Sequence, residues 1–169
     1  QEKILRIAGE YGFAADAFLG NWDVVGLNAD NILVDRQGNA WRVDNGGALR
    51  FRAQGAPKPA GWGNQPTELW TMRDPAKNAT TGSVYNGLGW YDLSGQMQAV
   101  AGQRQVLLQA VPADLRPIIE ARLDWYERLS RTSLSIPGTG FTFSAGASIP
   151  SSFSTGTAAS SRPGAREPS

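Results

Sequence analysis

One stretch, Asn21–Leu49, restricts the fold of this chain more than any other, because it predicts a β-hairpin. Two short β-prone runs, residues 32–35 and 40–43, lie on either side of the residues Arg-Gln-Gly-Asn at 36–39. A glycine at this point permits the backbone angles of a tight hairpin turn. The same stretch is crowded with acidic and amide side chains. It therefore predicts a hairpin that carries polar groups.

The register of the hairpin follows from the centre of its turn. If the centre falls between residues 37 and 38, Asn31 lies directly opposite Asp44, with the two Cβ atoms about 5 Å apart. That spacing suits one hard cation such as Mg²⁺, which binds carboxylate and carbonyl oxygens and retains water. Strand alternation puts two sets of residues on opposite faces: Ile32, Val34, Trp41 and Val43 on the apolar face, and Asn31, Leu33, Asp35, Arg42 and Asp44 on the polar one.

Three elements of this stretch resemble the catalytic core of the protein-kinase-like fold. They are Asp23 in a loop, Asp30-Asn31 before the first strand, and Val43-Asp44-Asn45-Gly46 after the second. The form is that of atypical kinases, the phosphatidylinositol 3/4-kinase-like and HipA-like proteins, and it is particularly similar to type II phosphatidylinositol 4-kinases. In those proteins a catalytic-loop Asp precedes an Asn that opens a hairpin, and Asp-x-Gly follows the hairpin. The resemblance is strong over residues 21–49 and looser over residues 1–133.

The resemblance implies a role for each matching residue. Asp23 would be the catalytic Asp that accepts a proton from, or orients, the acceptor hydroxyl. Asn31 and Asp44 would bind Mg²⁺ and, with Gly46, form the site for ATP. Asn28 is an alternative to Asn31, because it stands five residues after Asp23, the usual spacing, whereas Asn31 stands eight residues after it. The acceptor stays open between a protein, a lipid and a small molecule.

Each motif also has a structural explanation without catalysis. Residues 44–47 form a common turn sequence, and Asn31 can cap its own backbone. The resemblance moreover implies an N-terminal lobe that covers ATP, and the nineteen residues before Gly20 are too few to build one. We therefore expect the lobe upstream in a parent chain, and weak or no activity from this fragment alone. The alternative is a pseudokinase or an assembly module of a larger phage or secreted protein.

Composition restricts the chemistry further. The chain contains no histidine and no cysteine, so any general base must be a carboxylate and thiolate metal sites are excluded. A formal charge of +1 gives no electrostatic reason to expect nucleic acid as a partner. No apolar run reaches the roughly 18 residues of a membrane span. The compartment stays open between the cytoplasm and delivery within a larger protein.

Hydrophobic periodicity predicts mainly helices around the hairpin. We expect an amphipathic helix over residues 2–19, capped by Gly20, and the six tryptophans in the core. The remaining expectations, in chain order, are an extended segment at 48–53, a Pro/Gly-rich loop at 54–67, a short helix at 67–74, a polar loop at 76–82, one or two helical turns at 83–88, one or two helices over 91–111 broken near Gly102, a turn at 112–115, and a helix from Pro117 to about Ser133.

The fold class expected from these patterns is α+β. Residues 1–134 would form a mainly helical, kinase-like C-lobe in which the hairpin carries the metal site. Residues 135–169 are dominated by Ser, Gly, Ala, Thr and Pro. They cannot bury enough apolar surface to offset the entropy of ordering, so they are expected to be a disordered tail.

Overall fold

The computed structural model describes residues 12–58 and 62–132, and these ranges form a mainly helical α+β structure. This confirms the expected class. None of the helices in these ranges is long and apolar enough to cross a membrane. The elements, in chain order, are α1 (Phe13–Leu19), β1 (Ile32–Val34), β2 (Ala40–Arg42), α2 (Glu68–Thr71), α3 (Ala79–Tyr85), α4 (Trp90–Gly102), α5 (Arg104–Ala110) and α6 (Arg116–Arg131).

The core forms where α4 packs along α6 and α1 lies against α4. Helix α6 begins with a proline in its first turn, where the missing amide costs nothing. Its buried residues then recur at three- and four-residue steps, as an amphipathic helix requires. The hydroxyl of Tyr126 on this face donates to the carbonyl of Ala14 at 2.6 Å, which joins α6 to α1.

The hairpin forms, but its register differs by one residue from the predicted one. Leu33 lies opposite Trp41 in the β1–β2 ladder. The amide of Val43 donates to the carbonyl of Asn31 at 3.1 Å, so these two residues face each other at the end of the ladder. The expected cross-strand pair of Asn31 with Asp44 is therefore wrong.

The loop between the strands explains the shift. The amide of Asp35 donates to the carbonyl of Asn39 at 3.0 Å, which leaves three residues in the loop. Gly38 is left-handed, with φ of 89°, as the last position of such a loop requires. The carboxylate of Asp35 accepts hydrogen bonds from the amides of Gln37 and Asn39 and from the indole of Trp41. These bonds favour the three-residue loop over a two-residue turn.

The shifted register changes which face of the hairpin is buried. Ile32 is buried and Arg42 turns towards α1, whereas Leu33, Trp41 and Val43 are each more than half exposed. The prediction that Trp41 and Val43 share the buried face with Ile32 is therefore wrong. So is the expectation that Trp41 belongs to the core.

Two loop predictions also need correction. Residues 76–82 were expected to form a polar loop, but α3 begins at Ala79, and the Asn78 side chain accepts a hydrogen bond from the amide of Thr81 at its start. Residues 48–53 were expected to be extended, but they form turns, and Phe51 makes a single bridge to Pro57. In both places hydrogen bonds formed within the folded chain replace the geometry that local patterns favour.

The other helices form close to their predicted places, although the short helix expected over 67–74 ends at Thr71 and the helical turns expected at 83–88 are the end of α3, which stops at Tyr85. Helix α1 ends at Gly20, the second long helical segment divides at Gln103 into α4 and α5, and α6 follows the turn at 113–115. Glu68–Thr71 is the short helix expected after Thr67, although the Thr67 side chain makes no capping hydrogen bond. The predicted start of the first helix and the predicted tail at 135–169 lie outside the described residues.

Candidate functional site

The loop that carries Asp23 is held at its start by α3. The backbone carbonyl of Trp22 accepts hydrogen bonds from the side-chain nitrogen Nδ2 of Asn78 at 2.8 Å and from the hydroxyl of Thr81 at 3.1 Å. Asn78 and Thr81 belong to the first turn of α3 and to its cap. The unpredicted helix therefore fixes the backbone directly before Asp23.

Asn31 fastens the other end of the same loop. Its side-chain nitrogen donates to the backbone carbonyl of Asp23 at 2.8 Å, which leaves its amide oxygen for another partner. Gly26 has φ of 76°, and a Cβ atom there would overlap Asp30 Oδ1 and lie 2.9 Å from Cγ of Asn31. Glycine is favoured at this position because this φ lies in the left-handed region, which residues with a Cβ atom rarely adopt. Asn28, the alternative metal ligand, is exposed on this loop.

The charges of two carboxylates act on a third, Asp23, at this site. The pKa of Asp23 is raised, first by burial and then by the negative charges of Asp44 and Asp30. The register that separates Asn31 from Asp44 thus still leaves Asp44 close enough to act on Asp23. The sequence pattern predicted Asp23 and Asp44 as site residues, whereas Asp30 was only part of the motif Asp30-Asn31.

Asp44 and Gly46 are close neighbours in the turn that follows β2. The amide of Gly46 donates to Asp44 Oδ1 at 2.9 Å, so one carboxylate oxygen holds the turn and Oδ2 is left for other partners. The next residue, Asn45, accepts a hydrogen bond from the Asn21 amide at 3.3 Å. Asn21 Oδ1 is buried without a hydrogen-bond partner in the described part of the chain.

Beside Asp23 opens a cleft of about 580 Å³. This volume lies within the range of small-molecule sites, about 300–1,000 Å³. Charged residues of both signs line it, namely Asp23, Arg52, Lys58 and Glu68. Uncharged residues complete the wall, among them Trp22, Leu27, Thr67 and Thr80. Asp23 is therefore partly covered by protein and still reachable from the cleft.

Lys58 is half-buried at this cleft and binds two backbone carbonyls. Its Nζ donates to Gly20 O at 2.7 Å and to Leu49 O at 2.5 Å. Burial lowers the pKa of Lys58 to about 8, although the negative charge of Glu68 acts in the opposite direction. The positive charge of Arg122 contributes to this lowering of the pKa. The sequence placed Lys58 in a basic loop and gave no sign of these contacts.

Arg122 is the buried centre of the surrounding structure. Its guanidinium donates to Glu68 Oε2 at 2.6 Å and to the carbonyls of Ala17 and Phe18 at the end of α1. It also lies over the ring of Trp62 at 4.9 Å. A cation is favourable at the C-terminal end of a helix because the carbonyls there lack helical partners. One sequence signal was available, since Arg122 stands within the apolar stripe of α6.

The oxygen donors around Asp23 decide whether Mg²⁺ fits this site. Within residues 12–58 and 62–132 no group of three or more Asp, Glu, His or Cys side chains is arranged to hold a metal ion. Two oxygens in the vicinity accept none of the hydrogen bonds described above, namely Asn31 Oδ1 and Asp44 Oδ2. Mg²⁺ in nucleotide sites uses one or two carboxylates together with phosphate oxygens and water. Asn31 Oδ1 and Asp44 Oδ2 are oxygens of the kind that Mg²⁺ binds.

Comparison of the chain with protein-family models, with curated proteins and with solved structures finds no match.

Proposed function

We propose that this chain is the catalytic C-terminal lobe of an ATP- and Mg²⁺-dependent phosphotransferase whose N-terminal lobe lies upstream in a parent chain. The observation that carries the proposal is the placement of Asp23. Its carboxylate lines a cleft, lies within electrostatic reach of Asp44, and belongs to a loop fastened by Asn31.

Asp23 is the proposed base. The pKa of Asp23 is raised towards neutral pH. A carboxylate with a raised pKa is a better proton acceptor. As the oxygen of the acceptor hydroxyl bonds to the γ-phosphorus, Asp23 takes the hydroxyl proton. The bond from that phosphorus to the bridging oxygen of ADP breaks, and ADP leaves with the electron pair.

Asn31 and Asp44 are the proposed ligands of Mg²⁺. Asn31 offers its amide oxygen because its nitrogen is committed to the Asp23 carbonyl. Asp44 offers the carboxylate oxygen that the Gly46 amide does not occupy. When bound, Mg²⁺ neutralises phosphate charge. Gly46 then lies at the nucleotide side of the site.

The first experiment measures nucleotide binding by this chain. A ligand that binds only the folded state raises its unfolding temperature, so Mg²⁺ with ATP is expected to raise it and ATP with EDTA to raise it less. Asp44→Asn should remove the difference. Asp74→Asn is a matched control, because Asp74 Oδ1 accepts from the Ala76 amide at 2.9 Å in an equivalent turn. Equal responses of the two variants contradict the proposal.

The second experiment measures turnover by the parent chain, which would supply the covering lobe. Asp23→Asn should abolish Mg²⁺-dependent transfer of phosphate and leave Mg²⁺–ATP binding intact, because the proposed base does not hold the nucleotide. Undiminished turnover in Asp23→Asn or Asp44→Asn removes the assignment.

A non-catalytic interaction module is the second candidate, and the outer face of the hairpin favours it. Leu33, Trp41 and Val43 form an exposed apolar surface there, and such surfaces commonly mark interaction sites. A chain that serves only this role should show no thermal shift with Mg²⁺ and ATP.

A further inference from the structure

The cleft beside Asp23 is lined by charged side chains of both signs. Asp23, on which the like charges of Asp44 and Asp30 act, is one of its carboxylates. Lys58 and Arg52 are its cations. A ligand that uses both kinds of group should carry a proton donor for Asp23 and a negative group for the cations.

Glu68 lines the cleft and its charge acts on Lys58, but one carboxylate does not balance two cations. Its Oε2 also accepts a hydrogen bond from Arg122 at 2.6 Å, so its charge is shared with that cation as well. Within the described residues, Lys58 Nζ donates its hydrogen bonds to two neutral carbonyl oxygens. Arg52 is exposed, and its guanidinium makes no ion pair within the described residues.

Lys58 also retains one donor. An ammonium group has three N–H bonds, and the carbonyls of Gly20 and Leu49 take two of them. Since Lys58 lines the cleft, the third is available to a ligand. Arg52 offers a planar fork of donors that matches carboxylate and phosphate oxygens.

The uncharged part of the cleft lining suits a hydroxylated compound. The hydroxyls of Thr67 and Thr80 have no hydrogen-bond partner in the part of the chain that the structure describes. Trp22 and Leu27 provide apolar wall. A volume of about 580 Å³ accommodates a molecule of hexose size.

We infer that this cleft binds a small hydroxylated anion, with its carboxylate or phosphate group at Lys58 and Arg52 and a hydroxyl group at Asp23. That this anion is the phosphate acceptor rests on the proposed function. Its binding does not, because neither ATP nor Mg²⁺ contributes to the contacts described.

The test measures binding of three probes to the chain by calorimetry at pH 7, without nucleotide or metal. Gluconate carries a carboxylate, glucose 6-phosphate carries a phosphate, and glucose is neutral. At least one anion should bind. Glucose should bind at least about tenfold more weakly than that anion, as expected for the loss of one charge-assisted hydrogen bond. The stronger of the two anions identifies the anionic group.

Two arginine variants provide a matched comparison. Arg52→Ala should weaken binding of the anion about tenfold. Arg50→Ala should leave it unchanged, because Arg50 lies two residues away, does not line the cleft, and pairs with Asp114 at 2.7 Å on the surface. Lys58→Met, checked for folding by circular dichroism, should weaken binding at least as much as Arg52→Ala.

Three results would overturn the inference: no binding of either anion at millimolar concentration, equal binding of glucose, or unchanged affinity in both Arg52→Ala and folded Lys58→Met. Each can be separated from failure of the proposed function. If Mg²⁺ and ATP still stabilise the chain while the anions do not bind, only the anion site is wrong. If the anions bind and ATP does not, only the phosphotransferase proposal is wrong.

Discussion

Arg42 on the second strand donates from Nη2 to Asp16 Oδ2 on α1 at 2.8 Å, and its Nε also faces both oxygens of that carboxylate. Both side chains are largely buried. This pair attaches the hairpin to the helical core. The positions of Asn31 and Asp44 relative to Asp23 therefore depend on a contact that lies outside the candidate site.

Arg42→Met should destabilise the fold by about 3 kcal/mol, because it leaves the Asp16 carboxylate buried without its partner. The double variant Asp16→Ala with Arg42→Met should lose less than the sum of the two single variants, since no unpaired charge then remains. Urea unfolding of the four proteins measures this coupling. Strict additivity would show that the pair contributes nothing specific.

Arg122→Met should cost about 3–5 kcal/mol, because it removes a fully buried guanidinium from Glu68 and from several backbone carbonyls. Arg128→Met, an exposed change on the same helix, should cost less than about 1 kcal/mol, since it loses only the contact with the Trp125 ring. Thermal unfolding compares the two. Similar losses would contradict a central role for Arg122.

Asp23→Asn should stabilise the fold at neutral pH. The folded-state pKa of Asp23 is raised by burial and by Asp44 and Asp30, so the charged form is less favourable in the folded state than in the unfolded state. Stability contributed by this group is present at low pH and is lost as the pH rises through the folded pKa. The unfolding temperature of Asp23→Asn should exceed that of the parent sequence at pH 7, and the two should converge below pH 3.8. No gain at pH 7 would contradict the prediction.

The pH dependence of Lys58 should have the opposite form. Its folded-state pKa is about 8, against 10.5 for the ordinary side chain, so the unfolded state binds more protons between these values and stability rises with pH there. Glu68 and Arg122 also act on Lys58, so the difference between the parent sequence and Lys58→Met is the quantity to measure. That difference should change between pH 8 and 10.5 in favour of the parent sequence. A constant difference would show that Lys58 does not titrate in this range.

Ala29→Gly should stabilise the loop between Asp23 and Asn31. Ala29 has φ of 55°, a left-handed conformation that costs a residue with a Cβ atom about 1 kcal/mol. Ala99→Gly is the control, because Ala99 is exposed within α4 and glycine there should cost about 1 kcal/mol. Urea unfolding should therefore give opposite signs for the two changes. Loss of stability in both would contradict the strain at Ala29.

Much of the helical framework could be predicted because it depends on neighbouring residues. The end of α1 at Gly20, the break after Gly102 and the start of α6 near Pro117 follow from backbone preferences and periodicity over a few residues. The existence of the hairpin followed in the same way. Its register did not, because the Asp35 carboxylate holds a longer loop than the turn sequence favours.

The candidate site could likewise be predicted only in part from the sequence. Local sequence was enough to select Asp23, Asn31 and Asp44, whose proposed catalytic roles remain predictions. The cleft required the tertiary structure, because its charged residues Asp23, Lys58 and Glu68 come from segments far apart in the chain. Local sequence fixes which backbone conformations are favourable. Contacts between distant segments decide which polar groups are buried, and burial sets their charges and their partners.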